Sequence, residues 1–417
     1  MIRLRHRQSK RRKPHLAILT QYYPPEIGAP QNRLSELAQG LSTLGFRVTV
    51  LTAMPNYPTG QIHAQYGGLW RRERRARVQV IRTFIYPSQK ADYLHRLANY
   101  FSFVLSSAVL GSVLLPRSDY LMVESPPLFL GLSGFWLSRL KKARMIFNVS
   151  DLWPESAVRL GVLRRGGIAY KLSAALEAFC YREAWLVTGQ ARSILASIEA
   201  RFPELSTYHL SNGVDTTRFQ TGRHLGVHAE LAADRGLIVL YAGLHGLAQG
   251  LSQVLDAARQ LQHKIRIRFL LIGDGPEKAA LLNKARELEL HNVSFLDPIP
   301  VSEVPKQLAE ADIVLVPLKT FIPGAVPSKL YEAMAAERPV VLVAAGEAAE
   351  IVLEHNAGIV VEPEDITGLI RALCTLHKDP HLRHELGRNG RRAAESCFDR
   401  AKIVAAFSEY LTSNLKR

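Results

Sequence analysis

Residues 327–339 read PSKLYEAMAAERP, and this stretch decides how the rest of the chain is read. An apolar run at 313–318 precedes it as a buried strand. A loop with Pro323, Gly324 and Pro327 follows, and a helix opens at Ser328. Ser328 has the chemistry of an N-cap, and Leu330, Met334 and Ala335 supply an apolar face. Open amides at 328–331 and the positive helix end suit a phosphate, to which Lys329 adds a mobile cation. Glu332 lies one turn beyond Ser328, so both look back at the loop. A capping box would place its carboxylate at Tyr331, so reciprocal capping does not account for Glu332. Two readings stay open. Glu332 accepts hydrogen bonds from a ribose diol, or it is a first-turn carboxylate that complements the helix dipole.

Outward from this stretch the same plan repeats. Residues 15–20 read as a strand, 24–30 as a loop, and 32–44 have helical spacing in Leu34, Leu37, Ala38 and Leu41; Gly45 ends the helix and 46–52 is the next strand. The plan recurs as strand 237–241, glycine-rich loop 242–250, helix 251–261 and strand 267–272. Such alternation predicts an α/β protein with parallel sheets and right-handed crossovers. Ligands in such sheets sit at the carboxyl ends of the strands, which puts Gly28, Gly243 and the Ser328 helix start at similar heights. With 417 residues the chain is expected to form two domains. The expected division is a basic tail at 1–13, a first domain at 14–205, a second at 206–400, and an amphipathic helix at 401–417 packing back on the first. The polar connection is 224–235, and the second sheet begins at His209 or Leu237.

A formal charge of +16 implies an anionic partner. Seven Lys and Arg residues (Arg3, Arg5, Arg7, Lys10, Arg11, Arg12, Lys13) form the tail, and Arg71, Arg72, Arg74, Arg75 and Arg77 a second cluster. Neither is interleaved with aromatic platforms and no zinc-finger or RRM signature occurs, so nucleic acid ranks last. An anionic membrane surface ranks first, ahead of plain solvated charge. Cys180, Cys374 and Cys397 have no disulfide or zinc spacing and read as buried inert thiols in a reducing compartment. The apolar run at 16–19 is too short for a secretory core, so no signal peptide is expected. Residues 97–115 carry no charge and approach the length of a membrane span. The flanking strands 78–86 and 120–123 read as members of one sheet, so 97–115 reads as a buried or half-buried helix, with a shallow membrane-facing helix as the alternative. No GxGxxG in a strand–helix context, no GxxxxGK[ST] and no HExxH occur, and His381, His384 and Glu385 read as a solvated helix face. Neither a metal nor a resident cofactor is expected.

The runs QYYPPEIGAPQNRLSELAQGL (21–41), NVSDLWPES (148–156), SNGVDTTRF (211–219), YAGLHGLAQGL (241–251) and GDGP (273–276), together with PSKLYEAMAAERPVV, carry a resemblance over nearly the whole chain. They resemble the retaining GT-B glycosyltransferases of family four, in particular the bacterial O-antigen, capsule and colanic-acid subgroup with its N-acetylfucosamine-type transferases. The resemblance implies two Rossmann-like domains facing across a cleft. It also implies metal-independent transfer from a nucleotide sugar, UDP-linked, to a polyprenyl-diphosphate saccharide on the inner face of the cytoplasmic membrane. By position it implies Glu332 on the donor ribose and the amides of Ser328, Lys329 and Leu330 on the diphosphate. Gly243 would line the same pocket, Ile299 would lie near the base, and Gly28 in the loop that approaches donor and acceptor.

Three positions depart from the family pattern. Gly324 stands where a first glutamate is usual, Leu244 and Gln249 where an Arg and a Lys clamp the diphosphate, and Ser150 where many relatives carry His before Asp151. Lys329 and the helix amides then carry the phosphate charge. Asp151 and Glu155 either cap the next helix or, for Asp151, contact the reacting sugar or the acceptor hydroxyl. The rival readings are a UDP-sugar 2-epimerase of the same fold and a non-catalytic basic protein that binds membranes or nucleic acid.

Overall fold

The computed structural model describes residues 13–26, 28–57, 59–89, 93–159, 161–219, 236–321 and 324–415. The basic tail at 1–12, the connection at 224–235 and Pro323 lie outside them.

Alternating apolar runs and turn signals produce two α/β sheets. The first contains β1 (His15–Leu19), β2 (Arg47–Ala53), β3 (Trp70–Arg75), β4 (Val78–Thr83), β5 (Tyr120–Ser125), β6 (Arg144–Val149), β7 (Leu186–Gly189) and β8 (Thr207–His209). Its order is β3-β4-β2-β1-β5-β6-β7-β8. All neighbours pair in parallel except β3, which runs antiparallel to β4 at the edge. The second contains β9 (Leu237–Ala242), β10 (Ile267–Ile272), β11 (Val293–Leu296), β12 (Ile313–Pro317), β13 (Val340–Val343) and β14 (Gly358–Val361). Its order is β11-β10-β9-β12-β13-β14, all parallel.

The sheets are parallel as expected apart from this one antiparallel edge strand, and its cause is composition. Trp70–Arg75 reads WRRERR, with Arg71, Arg72 and Arg74 exposed. Charged side chains on an edge strand block further pairing, so part of the arginine cluster has this structural use. Arg75 turns onto Glu73 at 3.0 Å, and the fully buried Arg82 reaches the same carboxylate at 2.9 Å. His209 ends β8 and so belongs to the first sheet; the second begins at Leu237.

The chain divides into two compact units. One holds residues up to Gly189, Ile198–Leu210 and Val404 onward; the other holds Gln190–Ser197 and Ser211–Ile403. Most of helix Arg400–Leu415 therefore packs with the first sheet, where Tyr120 Oη donates to the Leu411 carbonyl (2.8 Å) and Arg144 to that of Asn414 (2.7 Å). The second core packs Val239, Phe269, Leu271 and Val341 of the sheet against Leu255 and Leu373 of the covering helices. Of the cysteines, Cys180 is buried and Cys374 partly so, but Cys397 is exposed at the end of helix Pro380–Cys397, which corrects the expectation of three buried thiols.

Candidate active site

Each sheet has a point where the strand order reverses, and there the loops leaving adjacent strands diverge and open a crevice. In the second sheet it lies between β9 and β12, which pair only through Ile313↔Val239 and Val314↔Leu240 although both strands run on. Gly243 leaves β9 there, and helix Ser328–Ala335 follows β12. Gly243 has a φ of +154°, and a Cβ on it would collide with the Lys329 side chain. The Lys329 ammonium is 5.7 Å from the Tyr241 ring centre. Lys329 is therefore a half-buried, packed cation and not the mobile one expected. Burial lowers its pKa, while the Glu332 carboxylate opposes that shift. The structure thus brings together Gly243, Lys329 and Glu332.

The helix cap differs from expectation. Pro327, with φ −62° and ψ 131°, occupies the N-cap position, and Ser328 is the first helical residue with no capping bond from its side chain. Proline supplies no side-chain acceptor, so the first amides are left to the loop side. The Leu330 amide already turns onto the Pro327 carbonyl at 3.0 Å and the Leu330 side chain is fully buried, which removes Leu330 from the expected phosphate contacts. Tyr331 packs on Phe398 with ring centres 4.9 Å apart, and burial pushes its phenol up to about 12. Ile299 lies beyond β11, the edge strand, and is partly buried.

The loops after β9 and β10 are zipped together: the Gly243 amide meets the Ile272 carbonyl (2.8 Å), His245 that of Asp274 (2.9 Å), and Glu277 that of His245 (2.9 Å). His245, which sequence reading passed over, is fully buried between Tyr241 and Phe295, and burial lowers its pKa. Leu244, at a usual arginine position, is exposed. Gly324 has φ +76°, and Ile194 fills the space a side chain there would need, so the missing glutamate has no room in this backbone. Among the described residues no three His, Cys, Asp or Glu side chains converge on a metal-sized site.

In the first sheet the order reverses between β1 and β5. Gly28 follows β1 and is the extended N-cap of helix Ala29–Thr43, where a Cβ would strike Gln31. At the ends of β5 and β6 lies a buried network that sequence reading missed. The Glu124 carboxylate accepts from Arg33 Nη2 (2.5 Å), Asn148 Nδ2 (2.7 Å) and Ser150 Oγ, and Arg33 also reaches Ser150 Oγ (3.0 Å). Thr188 extends it by donating to Asn148 Oδ1 (2.6 Å). Opposite charges in two buried registers, Arg33 beside Leu34 and Glu124 at the end of YLMVES, were the available signal.

Asp151 follows directly. It is half-buried, and burial raises its carboxyl pKa. The next helix, Glu155–Arg159, begins four residues on, so Asp151 is not at its cap. Glu155 accepts from Tyr170 Oη (2.5 Å) and pairs with Arg165; the tyrosine bond first, then the arginine, hold its pKa down.

Comparison with known proteins matches this architecture. The family described as "Glycosyl transferase 4-like domain" matches residues 28–210, and "Glycosyl transferases group 1" matches 228–393. The chain is a GT-B glycosyltransferase of this group 1 and 4-like type. It is 27% identical over 400 residues to WcaI of Escherichia coli (strain K12), named for colanic acid biosynthesis glycosyl transfer, covering 92% of this chain and 96% of WcaI. It is also 27% identical to the GDP-mannose-dependent alpha-(1-6)-phosphatidylinositol monomannoside mannosyltransferase of Mycolicibacterium smegmatis, over 67% of this chain and 80% of that protein. Among solved structures, sucrose-phosphate synthase from Thermosynechococcus elongatus superposes with a TM-score of 0.74 at 18% identity, covering 97% of this chain and 100% of that one. Anabaena HepE in complex with UDP superposes with a TM-score of 0.71 at 19% identity, covering 96% and 100%.

Proposed function

We propose that this enzyme transfers a sugar, with retention, from a nucleoside-diphosphate sugar to a polyprenyl-diphosphate-linked saccharide in bacterial surface polysaccharide assembly. The observation that carries the reading is the packed Lys329 over Gly243, with Glu332 one turn on, at the point where the second sheet's order reverses. A diphosphate there would meet Lys329 and the first amides of helix Ser328–Ala335, and would favour the charged form of a lysine that burial disfavours. Glu332 would accept from the ribose hydroxyls. The bond from the sugar C1 to the phosphate breaks as the acceptor oxygen bonds C1 on the same face, and the acceptor proton passes to the departing phosphate. Stabilising that charge is the protein's main task. UDP with an N-acetyl deoxysugar is the first donor to test. GDP is the second, since one relative's name specifies GDP-mannose.

Release of nucleoside diphosphate should depend on added lipid-linked saccharide. Release without acceptor, with change of configuration at the sugar C2, would support the epimerase instead. Because Lys329 and the helix amides balance the phosphate charge, EDTA should leave turnover within about twofold, and strict dependence on magnesium or manganese would count against the proposal. Glu332→Gln keeps the shape but removes a charge-assisted bond, so nucleotide affinity should fall by about 1.5–3 kcal/mol in calorimetry with melting temperature held. Equal affinity would return Glu332 to the dipole-complementing reading.

A further inference from the structure

Helix Tyr93–Leu114 has two unlike faces. Phe103, Ser107 and Gly111 are buried, with Gly111 against Leu51 of β2 and Leu137. On the opposite side Leu94, Phe101, Leu105, Val109 and Val113 are exposed, spaced as one helical stripe; Leu105 is 67% and Val113 80% accessible. Helix Leu130–Lys141 packs beside it through Ser107–Ser133 (2.8 Å), and exposes a second stripe of Leu132, Trp136 and Leu140. The Trp136 indole N–H is satisfied by Ser112 Oγ (2.9 Å), so its 56% exposed ring presents apolar surface. Single exposed leucines are ordinary; two adjoining stripes of eight large apolar side chains are not.

The charge carried by the two helices themselves has one sign. Neither helix contains Asp or Glu. At their C-terminal ends lie Arg72, on the Leu114 carbonyl (3.2 Å), Lys141, on that of Ser112 (2.6 Å), the exposed Lys142, and Arg139, paired with Glu183 of the neighbouring helix.

We propose that this two-helix face inserts shallowly into an anionic bilayer, the helices lying in its plane and the cations at headgroup level. The helix has the length and apolarity to span a membrane, yet one face is held on the sheet and the strands at its two ends, β4 and β5, belong to that same sheet. A second copy on the same face would bring like cations together, which opposes self-association. The apolar stripes set the response to salt as much as the cations do. Salt screens the cations beyond roughly 8 Å at physiological strength but does not weaken apolar insertion, so attachment should weaken with salt and not vanish. The inference stands on this face alone and not on the sugar-transfer reading. An assay without donor or acceptor keeps the two separate.

The test is sedimentation of the full chain with sucrose-loaded phosphatidylcholine vesicles, with and without about a third phosphatidylglycerol, at roughly 0.1 M and 1 M salt. The parent should pellet preferentially with the anionic vesicles and retain a measurable bound fraction at high salt. Leu105→Glu with Trp136→Glu should lower the partition coefficient at least about tenfold at unchanged melting temperature, because both side chains are solvent-facing. The proposal is overturned if the variant pellets like the parent or if the parent ignores both vesicle types. It is also overturned if ultracentrifugation shows a parent dimer that the variant loses, or if only detergent extracts the parent.

Discussion

Asp151→Asn is expected to lower turnover by about 10²–10⁴, the range for a positioned acid–base group. Asp151 leaves β6 at its carboxyl end, and its half-buried carboxyl has a raised pKa. A carboxyl so placed can orient an acceptor hydroxyl or meet positive charge developing on the sugar. Nucleotide affinity should change little, because Lys329 and Glu332 belong to the other unit. A capping role predicts the reverse, since Asn caps as well as Asp and both rate and stability would hold. The helix start at Glu155 already argues against capping. Turnover, nucleotide affinity and melting temperature on this one variant separate the readings, and near-normal turnover would retire Asp151 as a catalytic residue.

The second large effect is expected at Glu124. Its carboxylate is 2% exposed and accepts from Arg33, Asn148 and Ser150. Glu124→Gln preserves the shape but leaves the Arg33 guanidinium buried without its counter-charge, which typically costs about 3–5 kcal/mol. Arg33→Met combined with Glu124→Gln removes both charges and should recover more than half of that loss. The recovery would appear as a coupling energy in a double-mutant cycle of melting temperatures. Additive losses would mean the two charges do not act as a pair. Turnover should fall in the single variant beyond what the lost folded fraction explains, because Ser150 is held by the network and immediately precedes Asp151.

Much of this was legible in the sequence where local pattern sufficed. Helix Leu251–Leu261 and strand Ile267–Ile272 lie where apolar periodicity placed them, because each is bounded by turn residues and buries an apolar face. The Gly243–Lys329–Glu332 grouping was legible in part, since alternation fixes which loops share a strand end. Alternation does not reveal that Pro327 takes the cap, or that Lys329 lies across a glycine 86 positions away. Arg33 and Glu124 are 91 residues apart, and their pairing depends on which strand neighbours β1, a property of sheet order that no window records. WRRERR concealed an edge strand because its alternation is one of charges and not of hydrophobicity. The apolar stripe on Tyr93–Leu114 was obscured for a related reason: from Leu97 onward both faces are uncharged, so only packing tells the buried one from the exposed one.

The central claim is a nucleotide-diphosphate site built on Gly243, Lys329 and Glu332, and a thermal-shift comparison of UDP, GDP, ADP and TDP tests it most directly. A nucleotide at about 100 times its Kd stabilises the folded state by about 2.7 kcal/mol. One of the four, UDP first, should therefore raise the melting temperature by at least about 2 °C. That shift should shrink in Glu332→Gln. No shift with any of the four nucleotides would contradict the claim.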